Sequence, residues 1–240
     1  MINDLKVFLR RNTRLYSVLK KILQPAYNRY VICRISQKLK KRRRLIRTKG
    51  FTLLNRLHDM LTDKGITYFI DFGTLLGIIR EGGFIKHDLD IDIGVIKQDN
   101  NTPLAVKDVL LENGCKLLYE YVYEENIVEH SLMYNDIKFD ICYYDQTEND
   151  SQCYLFYTDD KEIPEYPVNH MSVVRMTYER ISGVEIHKVG KFKFNIPNDA
   201  EKLLEQKYGK EWRVPDSKWV YWKTPTASKC EGFGIQRVSG

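Results

Sequence analysis

The chain has 240 residues, 43% hydrophobic and 29% charged, enough apolar content to bury a core without covalent staples. Its five cysteines, Cys33, Cys115, Cys142, Cys153 and Cys230, leave one over from any full pairing and show no metal-knuckle spacing, which argues against a disulfide framework or a zinc module and for reduced thiols in the cytosol. The net charge of +6 is unevenly divided: residues 1 to 49 hold 16 Lys or Arg against the single acid Asp4, a net of +15, which leaves −9 for the remainder.

Ile2, Leu5, Phe8, Leu9, Leu15, Val18, Leu19, Ile22 and Leu23 recur at three- and four-residue spacing, with Lys6, Arg10, Arg11, Arg14, Lys20 and Lys21 largely between them. This pattern predicts a basic amphipathic helix that Pro25 ends or kinks. Tyr27, Tyr30, Val31, Ile32 and Ile35 then predict a second helical piece running into the Lys38–Arg44 cluster. No uncharged apolar run reaches the roughly 18 residues a spanning helix needs, and the N-terminus lacks the apolar core and small-residue cleavage site of a signal peptide.

Three readings suit this arm of residues 1–49: docking on an anionic membrane surface, nucleic-acid binding, or packing on the protein's own catalytic domain with a solvated basic face. The aromatic and apolar stripe favours the membrane, at its cytoplasmic face. No helix-turn-helix, finger or RNA-recognition signature accompanies the charge, so no nucleic-acid partner is expected.

Residues 50–240 form the expected catalytic domain. Phe51, Leu54, Leu57, Met60 and Leu61 predict a helix stopping near Gly65, followed by a strand over Ile66–Ile70. The chain then turns at Asp71-Phe72-Gly73-Thr74 into a short helix from Leu75 to Arg80, and backbone amides at such a turn can hold phosphate. After Gly82-Gly83 an acidic strand is expected from Asp88 to Ile96, then a helix from Pro103 to Asn113 capped by Gly114.

Strands are predicted over Lys116–Tyr123, Ile127–Tyr134, Ile137–Tyr144 and Ser151–Tyr157, with a loop at Ile163–Val168. A hairpin around Gly190 spans Ile186–Ile196, and a helix opened by Pro197-Asn198-Asp199 turns Leu203 and Leu204 inward and stops at Tyr208-Gly209. The tail, with Trp212, Trp219, Tyr221 and Trp222 among lysines, shows no regular period.

Asp88, Asp90 and Asp92 alternate within an apolar stretch. On a strand, residues two apart share a face, so Asp90 and Asp92 point one way while Ile91 and Ile93 enter the core. Asp140, flanked by Phe139 and Ile141, repeats the pattern and is a candidate third ligand. Crowded carboxylates repel one another unless a cation sits between them, and hard oxygen ligands suit Mg²⁺ or Mn²⁺.

Gly73-Thr74-Leu75-Leu76-Gly77, Arg80, Gly82-Gly83-Phe84-Ile85 and Asp88-Leu89-Asp90-Ile91-Asp92-Ile93 together resemble the signature of LicD-type phosphotransferases, the group that includes fukutin-related proteins. Ile196-Pro197 and the run Tyr208-Gly209-Lys210-Glu211-Trp212-Arg213-Val214-Pro215 resemble the C-terminal pattern of that family. The resemblance implies an α+β, nucleotidyltransferase-like mixed sheet flanked by helices. It also implies transfer of a phospho-alcohol such as phosphocholine from a CDP-linked donor to a hydroxyl of a glycan or its lipid-linked precursor. Where the family usually shows Pro-Trp-Asp-Asp-Asp, this chain has Lys86-His87-Asp88-Leu89-Asp90, which keeps the alternating acids.

On this reading Asp90, Asp92 and Asp140 hold the metal, Asp140 or Asp88 takes the acceptor proton, and Gly73, Thr74 and Arg80 contact phosphate. His87 is assigned to packing. The alternative from a different class is a nucleotidyltransferase that moves a nucleoside monophosphate from an NTP to a protein, nucleic-acid or small-molecule acceptor.

Overall fold

The computed structural model describes residues 13–158, 169–216 and 218–238, and the side chains of the first helix from Tyr27 onward. The expected stripe from Ile2 to Leu23 and the loop at Ile163–Val168 therefore lie outside the described backbone or side chains. The chain divides into two compact units, Met1–Arg42 and Arg43–Gly240.

Helix α1 spans Thr13–Thr62 with Pro25 inside it, so Pro25 does not end the helix. Proline removes one backbone donor and crowds the preceding turn, a local cost that the helix-forming residues on either side outweigh. The two segments expected around Tyr27–Ile35 and Phe51–Leu61 are parts of this one helix. In the second unit, Ile46, Leu53, Leu54, Leu57 and Leu61 are buried at 2% exposure or less.

The elements that follow are β1 (Tyr68–Ile70), α2 (Phe72–Glu81), β2 (Ile91–Ile96), α3 (Thr102–Glu112), β3 (Lys116–Tyr123), β4 (Asn126–Tyr134), β5 (Ile137–Gln146) and β6 (Asp150–Tyr157). Then come β7 (His170–Glu179), β8 (Val184–Val189), β9 (Phe192–Pro197), α4 (Ala200–Tyr208), a 3-10 turn at Tyr221–Lys223, β10 (Ala227–Lys229) and β11 (Gly234–Val238). The main sheet runs β1-β2-β5-β4-β3-β11-β7-β10, with β6 pairing both β5 and β7. The pairings thus close a ring, β5-β4-β3-β11-β7-β6. Among the described strands only β2 and β5 run parallel; β8 and β9 form a separate hairpin.

A tight turn sets the register of β4 and β5. Asn135 (φ 48°) and Asp136 (φ 67°) both occupy the left-handed region, the geometry of a two-residue hairpin turn that Asn and Asp tolerate well. Tyr134 therefore faces Ile137, and counting back along both strands places Ser131 opposite Asp140 and Glu129 opposite Cys142. The β2–β5 pairing sets Asp92 beside Asp140. Paired residues share a face, so Asp92, Asp140, Ser131 and Glu129 fall on one side of the sheet. On the other side, Ile91, Ile93, Phe139 and Ile141 join the core with Leu57 of α1 and Leu110 of α3.

Strands β7, β10 and β11 are absent from the sequence expectations. Each pairs with residues distant in the chain, and strand propensity reflects such partners more than the local sequence.

Helix α4 docks on α2 through a buried ion pair. Lys207 Nζ lies 2.7 Å from Asp71 Oδ1, with side-chain exposures of 1% and 0%. The same ammonium donates to the Tyr144 hydroxyl at 2.8 Å and sits 3.6 Å from the centre of the Phe72 ring. Tyr144 in turn donates to Asp71 Oδ2 at 2.5 Å. Removing one partner leaves a buried charge uncompensated, so Lys207→Met is expected to lower unfolding free energy by about 3–5 kcal/mol in denaturant titrations. The double variant Lys207→Met with Asp71→Asn is expected to regain part of that loss, whereas additive losses would show that the two side chains are not coupled.

Candidate active site

The acidic strand begins at Ile91, three residues later than Asp88, so Asp88 and Asp90 lie on the loop that feeds it and only Asp92 is on the strand. A side-chain bond holds the loop: the Ile85 amide donates to Asp88 Oδ2 at 2.9 Å. Burial pushes the Asp88 carboxyl up to about 6. Four residues after Asp88, Asp92 is fixed by α2. The Asp92 amide donates to Thr74 Oγ1 at 2.9 Å, the Thr74 amide faces Asp92 Oδ2 at 3.3 Å, and the Asp71 amide donates to the Asp92 carbonyl at 2.9 Å.

Thr74 is fully buried, so its hydroxyl serves to hold Asp92 rather than standing open to a ligand. Gly73 lies against the acids: a Cβ there would come within 3.3 Å of Asp92 Oδ2 and 3.5 Å of Asp88 Oδ1. Any larger residue would crowd these two carboxylate oxygens.

Across the sheet, Ser131 Oγ donates to Asp140 Oδ1, and Lys138 Nζ lies 2.5 Å from Asp140 Oδ2 and 3.3 Å from Asp90 Oδ2. Phe72, Gly73, Asp90, Asp92, Glu129 and Asp140 border one cavity of about 480 Å³. Burial, then the like charges of Asp90 and Asp140, holds the Asp92 carboxyl well above the carboxylate range. Asp140 is raised by burial against the opposing pull of Lys138, and Glu129 is raised to about 8 by burial and by Asp140. Lys138 is raised too: burial would lower it, but Asp140 and Asp90 outweigh that and hold it protonated.

The donor chemistry fits a hard divalent cation. Several carboxylates share one cavity, and the Asp92 carboxyl among them is averse to ionising without further positive charge. Among the described residues, as their side chains lie, no group of three or more acid, histidine or cysteine residues is placed so that it could hold a metal ion. Lys138 stands between Asp90 and Asp140 and draws their oxygens to itself.

Arg80 lies apart from this cavity, as does His87. Its guanidinium pairs with Glu81 at 2.7 Å and donates to the Trp212 carbonyl at 3.3 Å, and it borders a second cavity of about 690 Å³. Gly73, Tyr208 and Trp219 border both cavities.

Glu129, Lys138 and Lys207 are the site residues that sequence reasoning missed. The Asn135-Asp136 turn was the available signal for the first: once that hairpin is drawn, Glu129 falls two residues beyond Ser131 on the face of Asp140. Lys138 alternates with Asp140 and is found the same way. No local pattern marks Lys207, whose partner lies 136 positions earlier in the chain.

Residues 65–199 match the family described as LicD/FKTN/FKRP, nucleotidyltransferase domain. Over 202 residues the chain is 23% identical to ribitol-5-phosphate transferase FKTN of Mus musculus, covering 79% of this chain and 38% of that protein. The Homo sapiens protein of the same name is 22% identical over 194 residues, 75% of this chain and 37% of that one. A stretch of 73 residues is 34% identical to an uncharacterised protein of Rickettsia prowazekii, covering 30% of this chain and 27% of the other. The chain thus spans less than two-fifths of the length of these relatives. Among solved structures, ANT(2")-Ia in complex with adenylyl-2"-tobramycin has a TM-score of 0.40 and 14% identity, over 72% of this chain and 82% of that one. The family match extends from the residues before β1, through the turn at Asp71 and both acid-bearing strands, to the start of α4; this chain belongs to the LicD/FKTN/FKRP nucleotidyltransferase-domain family.

Proposed function

We propose that this protein is a metal-dependent phosphotransferase. It moves a phosphorylated alcohol, of the phosphocholine or ribitol phosphate kind, from a CDP-linked donor to a hydroxyl of a cell-surface glycan or its lipid-linked precursor. The observation that carries this reading is the single polar face on which Asp92, Asp140 and Glu129 meet in one cavity beside a glycine-opened turn. The name of the FKTN relatives supports the substrate class.

Asp90, Asp92 and Asp140 are the residues that would hold Mg²⁺ or Mn²⁺. Such an ion, when bound, supplies positive charge against a pyrophosphate and its leaving CMP. The chain's own part is positioning, which is most of what phosphoryl transfer asks of a protein. Thr74 holds Asp92 in place, Gly73 leaves room for phosphate oxygens, and Lys138 balances charge between Asp90 and Asp140. Asp140 or Asp88 would take the proton from the acceptor hydroxyl, with Glu129 a further carboxylate on the face of Asp140.

The arm is proposed to dock on an anionic membrane surface, where a lipid-linked acceptor is concentrated. Among the described residues no helix is long and apolar enough to cross a membrane. Tyr27, Tyr30, Ile32 and Ile35 of the first unit are all more than half exposed, and no acid occurs between Tyr27 and Lys49.

Incubation with Mg²⁺ and a panel of CDP-alcohols and NTPs is expected to release CMP from a CDP-alcohol, with the phospho-alcohol recovered on the glycan acceptor. Pyrophosphate released from an NTP would replace this reading with nucleotidyl transfer. Asp90→Asn and Asp92→Asn are each expected to cut turnover by about two orders of magnitude or more, with a melting temperature unchanged or raised because like-charge repulsion is relieved. A collapsed melting temperature would make these acids structural.

Replacing Arg29, Arg34, Lys38 and Lys40 by Gln in the full chain removes about 1 kcal/mol of surface attraction per residue. Sedimentation with anionic liposomes should then weaken more than tenfold, while transfer to a water-soluble acceptor analogue is retained. Unchanged sedimentation would remove the membrane assignment.

A further inference from the structure

Lys207 and Lys138 both pair with inward-facing carboxylates, but they are held differently. Lys207 is 1% exposed and packs its ammonium against Asp71, the Tyr144 hydroxyl and the Phe72 ring, which locks it in place. Lys138 is 18% exposed, and its ammonium pairs with Asp140 and Asp90, which are 16% and 36% exposed. A partly exposed ammonium on a flexible four-carbon stem leaves its partners without unpacking a core.

The two pairs of Lys138 fall on acids proposed to hold the ion. Both oxygens of Asp140 are in use: Oδ1 accepts from the Ser131 hydroxyl, and Oδ2 meets Lys138 Nζ at 2.5 Å. Asp90 Oδ2 lies 3.3 Å from the same nitrogen. Strand geometry puts the lysine there, since Lys138 and Asp140 are two residues apart on β5 and share a face. With the side chains lying so, no group of three or more acid, histidine or cysteine residues among those described is placed to hold a metal ion. An ion of the Mg²⁺ kind needs its oxygens at about 2.1 Å, and a neighbouring ammonium repels it. Ion and ammonium therefore contend for the same oxygens of Asp140 and Asp90.

We propose that Lys138 is a tethered counter-ion that closes the acid cluster until an incoming divalent cation displaces it. In the metal-free protein its ammonium offsets the repulsion among the crowded acids. When the ion binds, the ammonium swings off Asp90 and Asp140 toward solvent, and the work of breaking these two pairs lowers the affinity of the site. Lys138 thus sets the metal concentration at which the site fills. This inference rests on the proposed metal site of Asp90, Asp92 and Asp140.

The test is Mn²⁺ binding to the full-length protein without donor or acceptor, read from the electron paramagnetic resonance of free Mn²⁺. Lys138→Met is expected to bind Mn²⁺ about tenfold more tightly than wild type, or better, since the ion no longer has a charged hydrogen bond to break. Lys138→Arg, which keeps a cation able to pair with both acids, is expected to bind no tighter than wild type. Lys97→Met is the control for net charge. It removes one lysine charge just past the end of β2, roughly 16 Å along the strand from Asp92, and should shift the affinity by no more than about twofold. Saturating Mn²⁺ is also expected to raise the melting temperature of Lys138→Met by more than it raises that of wild type. Should Lys138→Met fail to fold, Lys138→Gln, which removes the charge and keeps a donor for Asp140, carries the comparison. Wild-type binding with Lys138→Met no tighter, or weaker, would overturn the inference alone and make the lysine a fixed support of the acids. An equal gain in Lys97→Met would overturn it as well, because net charge would then account for the change. Failure of both wild type and Lys138→Met to bind Mn²⁺ would overturn the metal site and this inference together.

Discussion

The geometry of the site depends on the ion pair between Lys207 and Asp71. Asp71 caps the start of α2, accepting from the Phe72 amide at 2.7 Å with the same oxygen that meets Lys207. Its own amide donates to the Asp92 carbonyl, and the Tyr144 hydroxyl from β5 closes the set. One buried contact therefore joins α2, β2, β5 and α4, the elements that carry Gly73, Asp92, Asp140 and Tyr208. Desolvating two charges leaves little net stability, so what the pair contributes is a fixed arrangement. It also holds a strained residue. Phe72 has φ of 38°, a left-handed conformation costly for a bulky side chain, and its ring lies under the Lys207 ammonium. That backbone bend is what turns Gly73 and Thr74 toward Asp92.

The second constraint is electrostatic. The register of β2, β5 and β4 forces acids onto one face, and the face is buried enough that Asp92, Asp140 and Glu129 all resist ionisation. Lys138 offsets part of this crowding but reaches only Asp90 and Asp140. An arrangement with too little positive charge is unfavourable on its own and favourable around a cationic ligand. This difference is what would favour the divalent cation proposed for the face.

Much of this was legible in the sequence. The hairpins, the helix α3, the β8–β9 pair and α4 follow from local period and turn residues, and alternation sets Asp92 and Asp140 each opposite its own apolar neighbours, while the β2–β5 register puts the two on a common face. The motif blocks around Gly73 and Asp92 gave the family. What was not legible depends on long-range pairing. Strand β7 alternates weakly and takes its place from β6 and β11, and β10 and β11 lie in a tail whose aromatics obscure any period. The acidic strand was drawn too long because alternation of Asp88, Asp90 and Asp92 continues into the loop, where the Ile85 amide, and not a strand partner, holds Asp88. Of the two outcomes that Pro25 allows, an end or a kink, the end does not occur, since a single lost hydrogen bond does not end a helix of this length.

The most direct measurement is a crystal structure of the protein grown with Mn²⁺ and a CDP-alcohol, with the ion located by its anomalous scattering. Mn²⁺ is expected to be bound directly by the Asp90 and Asp92 carboxylates at about 2.0–2.3 Å, with Asp140 in its first or second coordination shell and the Lys138 ammonium moved off Asp90. Mn²⁺ bound elsewhere, or Lys138 still seated between Asp90 and Asp140 with no ion on Asp92, would contradict it.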